Sequence, residues 1–87
     1  MSVYMVERNL PGISMEQLGA AQQAAIQAAQ QFTANGKPVS YIRSAFVPAE
    51  ERCMCFFEAE NAEDVEDLNR TAQIPFERVI TALDLTP

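Results

Sequence analysis

The sequence predicts a single α+β domain with the element order strand–helix–strand–strand–helix–strand. Three observations carry this. Two segments of helical apolar spacing, each opened by a capping residue and closed by a glycine or proline, alternate with four short runs rich in β-branched, aromatic and sulfur side chains. The second and third runs are separated only by a short polar turn, which makes them a hairpin. The chain has 87 residues, of which 48% are hydrophobic, so it fits one domain with a packed core and leaves no room for a second.

The elements follow in order. Residues Ser2–Asn9 read as a strand because Val3, Tyr4, Met5 and Val6 succeed one another, which suggests burial on both faces. Leu10-Pro11-Gly12 breaks it. Ser14 is a good N-cap, and Gln17 three residues on completes a capping box. From Met15 to Ala34, residues Leu18, Ala21, Ala25, Ala28, Ala29 and Phe32 recur on one helical face, with Met15 and Ile26 widening it and glutamines opposite. Asn35-Gly36, with Pro38 beyond, is a C-terminal stop.

Pro38 to Val47 reads as the second strand, with Ile42 and Phe46 on one face and Val39, Tyr41 and Ala45 on the other. Pro48-Ala49-Glu50-Glu51 is the turn, and Arg52 to Ala59 the third strand. Asn61 caps a second helix whose acidic start, Glu63 and Asp64, suits the positive end of the helix dipole. Val65, Leu68 and Ala72 are its buried stripe, Ile74-Pro75 its end, and Arg78 to Leu85 the fourth strand. Each half is then a strand–helix–strand crossover of the usual right hand. The two together give the ferredoxin-like βαββαβ arrangement: a four-stranded antiparallel sheet in the order 4-1-3-2 with both helices on one face.

One sheet face is left uncovered by that arrangement. Alternation puts Tyr4, Val6, Ile42, Phe46, Cys53, Cys55 and Phe57 on one side, and Val3, Met5, Tyr41, Ala45, Met54 and Phe56 on the other. The small thiols suit close packing beneath an alanine-rich helix, so the second set is expected on the open face. A monomer rarely leaves such a patch in water. Pairing with a second copy, as a homodimer in the manner of dimeric α+β barrels, would bury it, and it can equally floor a small-molecule site. Glu7, Arg43 and Glu58 share that face. Pairing Val47 with Arg52 sets Arg43 opposite Phe56 with Glu58 diagonal to it, either as an ion pair at the rim of an interface or as a group that orients a polar ligand.

Composition narrows the chemistry. The net charge of -6 argues against nucleic acid and anionic membrane as partners. No apolar run approaches the ~18 residues of a membrane span, and no secretory signal is recognised, so a cytoplasmic location is expected. With no histidine there is no triad and no imidazole metal ligand. No phosphate-binding glycine loop is present. Cys53 and Cys55 lie i, i+2 on a strand with Cα atoms roughly 6.5–7 Å apart, at or past the limit for a disulfide, and read as reduced core thiols. The carboxylates of the turn and second helix read as a solvated acidic face. Asn69 sits at the border of the buried stripe, as a satisfied boundary residue or aimed toward a cleft.

The runs Tyr4-Met5-Val6-Glu7-Arg8-Asn9-Leu10-Pro11-Gly12, Ile42-Arg43-Ser44-Ala45-Phe46-Val47-Pro48, Cys53-Met54-Cys55-Phe56-Phe57-Glu58-Ala59 and Asn69-Arg70-Thr71-Ala72-Gln73-Ile74-Pro75-Phe76 together span nearly the whole chain. They resemble a family of small, mostly uncharacterised bacterial ferredoxin-like domains that includes nickel-binding proteins. The resemblance implies the fold and a homodimer. Many members carry a histidine where this chain has Asn69, a much poorer nickel ligand, so the metal is not carried over with the fold.

The expectation is therefore a homodimeric, non-catalytic small-ligand-binding domain without a cofactor, its site at the open face or dimer cleft around Glu7, Tyr41, Arg43, Glu58 and Asn69. Two alternatives stand beside it. One is binding of nickel or another divalent metal by carboxylates. The other is a cofactor-independent oxygenase or isomerase in which Glu7 or Glu58, raised in pKa by burial, acts as acid or base.

Overall fold

A computed structural model describes residues 1–87. The element order is β1 (Ser2–Asn9), α1 (Met15–Ala34), β2 (Val39–Val47), β3 (Arg52–Ala59), α2 (Ala62–Thr71) and β4 (Arg78–Ala82). The four strands form one antiparallel sheet in the order β2-β3-β1-β4, the expected order read from its other edge. Helix α1 packs on β2, and α2 on β3 and β4, so the fold is ferredoxin-like as the sequence predicts.

The termini of the elements follow from local chemistry. Ser14 Oγ accepts from Gln17 N at 3.0 Å while Ser14 N donates to Gln17 Oε1 at 2.9 Å, so the capping box is formed on both sides. Gly36 at φ +90° closes α1 in the left-handed region, where a glycine pays no steric penalty. Helix α2 stops at Thr71, short of the Ile74-Pro75 expected to end it, because Gln73 turns left-handed at φ +58° and Ile74 N donates back to Asn69 O. Strand β4 stops at Ala82 rather than Leu85. Ala82 already pairs with Val3, and β1 begins at Ser2, so almost no ladder remains beyond it.

The core lies between the helices and one sheet face. Val6, Phe57, Ala59, Val65 and Leu68 are fully buried, joined by Tyr4, Cys53, Cys55 and the alanines Ala25, Ala28 and Ala29 of α1. At about 25 cal/mol per Å² of apolar surface, each large member contributes roughly 1.5–3 kcal/mol. Met15, expected to widen the α1 stripe, is instead 78% exposed at the helix start.

One strand departs from simple alternation. The β2–β3 register runs Val47↔Arg52 through Arg43↔Phe56 as expected, then jumps to Tyr41↔Phe57. This β-bulge at Ile42 reverses the faces of the residues before it. Val39 and Tyr41 therefore point into the helix layer, where Val39 is buried opposite Ala59 and Tyr41 meets Phe57 edge-on at 5.5 Å between ring centroids. Ile42, expected beneath the helix, is not packed on the core.

Candidate functional site

The two faces of the sheet carry different polar chemistry. On the open face, Glu7 on β1 accepts from Arg78 of β4 at 2.9 Å and from Arg52 of β3 at 3.1 Å. The Arg78 hydrogen bond, with the charges of Arg78 and Arg52, holds the Glu7 carboxyl below its usual range against an opposing pull from burial. Its expected upward shift is thus reversed: two guanidinium groups cover the carboxylate. Arg43 lies over the Phe56 ring, 5.6 Å from its centroid, and pairs with Asp84 at 2.5 Å rather than with Glu58. Because β2 and β4 are opposite edges of the sheet, this pair draws the residues after β4 across the open face. Glu58 is exposed and makes no ion pair. Met5, Met54, Phe56 and Ile80 are half-buried between these charges.

Tyr41 is absent from that face. Its hydroxyl accepts from Gln22 of α1 at 3.0 Å and bonds Ser44 Oγ at 2.6 Å on the helix side. Asn69 is also away from it, fully buried under α2, with Nδ2 donating to Val65 O at 2.8 Å and Oδ1 without a partner. The five sequence-predicted residues are thus split: Glu7, Arg43 and Glu58 share the open face, whereas Tyr41 and Asn69 lie in the helix layer at separate places.

The helix side holds a group that the sequence reading missed. Arg8 continues the alternation Tyr4, Val6, Arg8 and so points beneath the helices, where it is only 2% exposed. Its Nε donates to Cys55 Sγ at 3.4 Å and one terminal nitrogen, Nη1, to Pro75 O at 3.3 Å. Its Nη2 makes no hydrogen bond, and no carboxylate stands within ion-pairing distance. Burying an isolated guanidinium is costly, so the charge calls for a counter-ion. Strict alternation was the signal for it, since it sets an arginine in series with two core residues.

Cys55 is the resident answer. Its Sγ also accepts from Ser44 Oγ at 3.0 Å and lies 3.8 Å from Cys53 Sγ, both cysteines being free thiols. The Cys53 hydrogen bond first, then the Arg8 charge and the Ser44 and Arg8 hydrogen bonds, outweigh burial and draw the Cys55 thiol down to about 5. Cys53 moves the other way, pushed up by its hydrogen bond to Cys55, by burial and by the neighbouring negative charge. The two thiols thus share one proton, which stays on Cys53.

A cavity of about 200 Å³ opens beside these groups, between the first half of α1 and the sheet. It exists because small side chains face one another: Gly19, Ala21 and Ala25 on the helix, Ser44, Cys53 and Cys55 on the strands. A Cβ built on Gly19 meets nothing within 4 Å. Leu18, Phe46 and Ile74 make the walls apolar, while Arg8, Gln22 and Ser44 supply the polar points. Few polar groups converging on apolar walls is the composition of a small-molecule site. No three His, Cys, Asp or Glu side chains come together anywhere as a metal site, and no helix is long and apolar enough to cross a membrane.

No curated protein matches the chain. Among solved structures, the crystal structure of SCO4226 from Streptomyces coelicolor A3(2) matches with a TM-score of 0.79 at 22% identity, covering 99% of this chain and 100% of that one. Similarity at that identity speaks for the fold. The family model described as nickel responsive protein SCO4226-like matches residues 4–81, which include all four runs quoted for the resemblance. The chain belongs to this SCO4226-like, nickel responsive protein family.

Proposed function

We propose that the protein is a non-catalytic binding module that takes a small ligand in the cavity beneath α1 and works as a homodimer paired through the open sheet face. The observation that carries the ligand site is the buried Arg8, without a carboxylate, at the wall of an apolar cavity. The half-buried Met5, Met54, Phe56 and Ile80 support the pairing surface. Against an oxygenase or isomerase, Glu7 is covered by two arginines that lower its pKa, and Glu58 is exposed rather than buried in a pocket.

The family name favours a second reading, a response to nickel. Within one chain the residues do not fit that ion. There is no histidine, and the only close pair of soft donors, Cys53 and Cys55, has the Arg8 guanidinium beside it, a positive charge where a cation would have to sit.

The ligand site is tested by amide NMR of the protein with a panel of small fragments. The reading expects shifts at Leu18, Ser44, Cys53 and Cys55 that disappear in Gly19→Leu, whose side chain closes over the cavity mouth. Shifts confined to other regions, or none with any fragment, would overturn it.

A further inference from the structure

We propose that the ligand of this cavity is a small monoanion with a short apolar body, a carboxylate of about the size of hexanoate, whose charged head pairs with Arg8 in competition with Cys55 Sγ. The inference rests on the reading that the cavity beneath α1 is the binding site, and adds the chemical class.

Charge selects the class. The groove between α1 and the segment after α2, lined by Pro11, Ala20, Ala24 and Gln73 among others, has no charged side chain. The hollow beside the β2 edge, lined by Ile26, Thr33 and Ser40 among others, has none either. The Arg8 cavity alone of the three joins apolar walls to a fixed positive charge. No carboxylate lines it, and its sulfur groups stand beside the Arg8 guanidinium, which repels a cation. A single guanidinium neutralises a single negative charge, and its planar fork matches a carboxylate in particular. The volume lies below the roughly 300–1,000 Å³ of drug-sized sites, which limits the apolar body to a few carbons. Gln22 and Ser44 stand on the same walls as further hydrogen-bonding groups.

The thiolate makes the site proton-linked. Arg8 gives Nε to Cys55 and keeps Nη2 free. A second anion beside one guanidinium in a low-dielectric cavity repels the first, so the bound state favours the Cys55 thiol over the thiolate. The other titratable groups facing Cys55 are Arg8 on β1 and Cys53 on β3, with the Tyr41 phenol on β2 one hydrogen bond away through Ser44; α1 brings no charge to the cavity. Ligand binding therefore takes up a proton at Cys55 Sγ.

Titration calorimetry of the reduced protein with hexanoate and 1-hexanol, at pH 7 and pH 6, tests this. Hexanoate is expected to bind about ten- to hundredfold more tightly than the alcohol at pH 6, the range of a charged hydrogen-bonded pair. Its affinity is expected to rise about tenfold from pH 7 to pH 6, as the thiol fraction rises tenfold, while the alcohol's stays constant. Cys55→Ser, which removes the competing charge, is expected to tighten hexanoate at pH 7 and erase its pH dependence. Arg8→Met is expected to abolish hexanoate binding and keep that of the alcohol; should it not fold, Cys55→Ser and the alcohol comparison still decide. Equal binding of acid and alcohol overturns the anionic class and leaves the cavity reading standing. Binding of neither overturns both. Unchanged hexanoate affinity and pH dependence in Cys55→Ser overturns the competition with the thiolate.

Discussion

Folding stability of this protein should rise with pH between pH 6 and pH 8, and Cys55→Ser should remove the rise. The folded Cys55 thiol titrates near 5, whereas the unfolded thiol titrates near 9. A group whose folded pKa is depressed stabilises the fold fully above its unfolded pKa, and that contribution is lost as pH falls through the window toward its folded pKa. Between pH 6 and pH 8 the folded state has released this proton and the unfolded state has kept it. Each pH unit then adds about 1.4 kcal/mol, or about 2.7 kcal/mol across the window, as long as the folded thiol is ionised from pH 6 upward. Cys53, shifted upward, keeps its proton in both states there. The window is otherwise quiet, because the chain has no histidine, the one side chain whose unperturbed pKa lies there. Urea denaturation under reducing conditions at pH 6, 7 and 8 reads the slope; for a small domain, midpoints should move by roughly 0.5–1.4 M per unit. Parallel slopes for the wild type and Cys55→Ser would refute the thiolate. The slope rather than the absolute stability decides, since the substitution also changes packing.

Other substitutions probe separate parts of the argument. Gly19→Ala should stabilise by about 0.5–1 kcal/mol in the same denaturation assay, since the glycine is helical and its Cβ would meet open space. A loss of stability would mean that the helix approaches the sheet more closely there. Asn69→Leu should be neutral or stabilising by about 1 kcal/mol, because Oδ1 is buried without a partner; a cost above roughly 2 kcal/mol would show that a buried water satisfies it. Light scattering should give twice the 9.6 kDa mass of the chain, falling to the single mass in Met54→Glu; a monomeric wild type would exclude pairing through the open face. Nickel titrated to millimolar concentration should give no saturable heat, and a stoichiometric isotherm would show that ligands assemble from more than one chain.

Most of the fold was legible because its signals are local. The Ser14–Gln17 capping box, the Asn61 cap and the Pro48–Glu51 turn act within a few residues, and each ends where its chemistry requires. The Arg43↔Phe56 pairing also followed from the turn, because a hairpin register propagates outward from its loop. It propagated only as far as the bulge. Nothing in Val39-Ser40-Tyr41-Ile42 announces an extra residue, so alternation places Tyr41 on the opposite face from the one it occupies. The end of β4 was misplaced for a different reason: Leu83 and Leu85 have strand-like character, but their partner strand had run out. Arg8 was missed because an arginine reads as a surface residue by type, whereas its position in the Tyr4–Val6–Arg8 alternation reads as core. Position was the better guide, and it relocates the candidate site from the open face to the space beneath α1.

The bulge at Ile42 also shapes an exposed edge of the sheet. Strand β2 is an edge of the sheet, and an exposed edge is a template for adding strands without limit. A bulge in its ladder, with Pro38 before the strand and Pro48 after it, makes this edge a poor template. The opposite edge, β4, offers only five residues. Growth by edge-to-edge addition is thus discouraged on both sides, which protects the chain against fibrous aggregation. The pairing proposed through the sheet's face would instead close two copies on each other and stop.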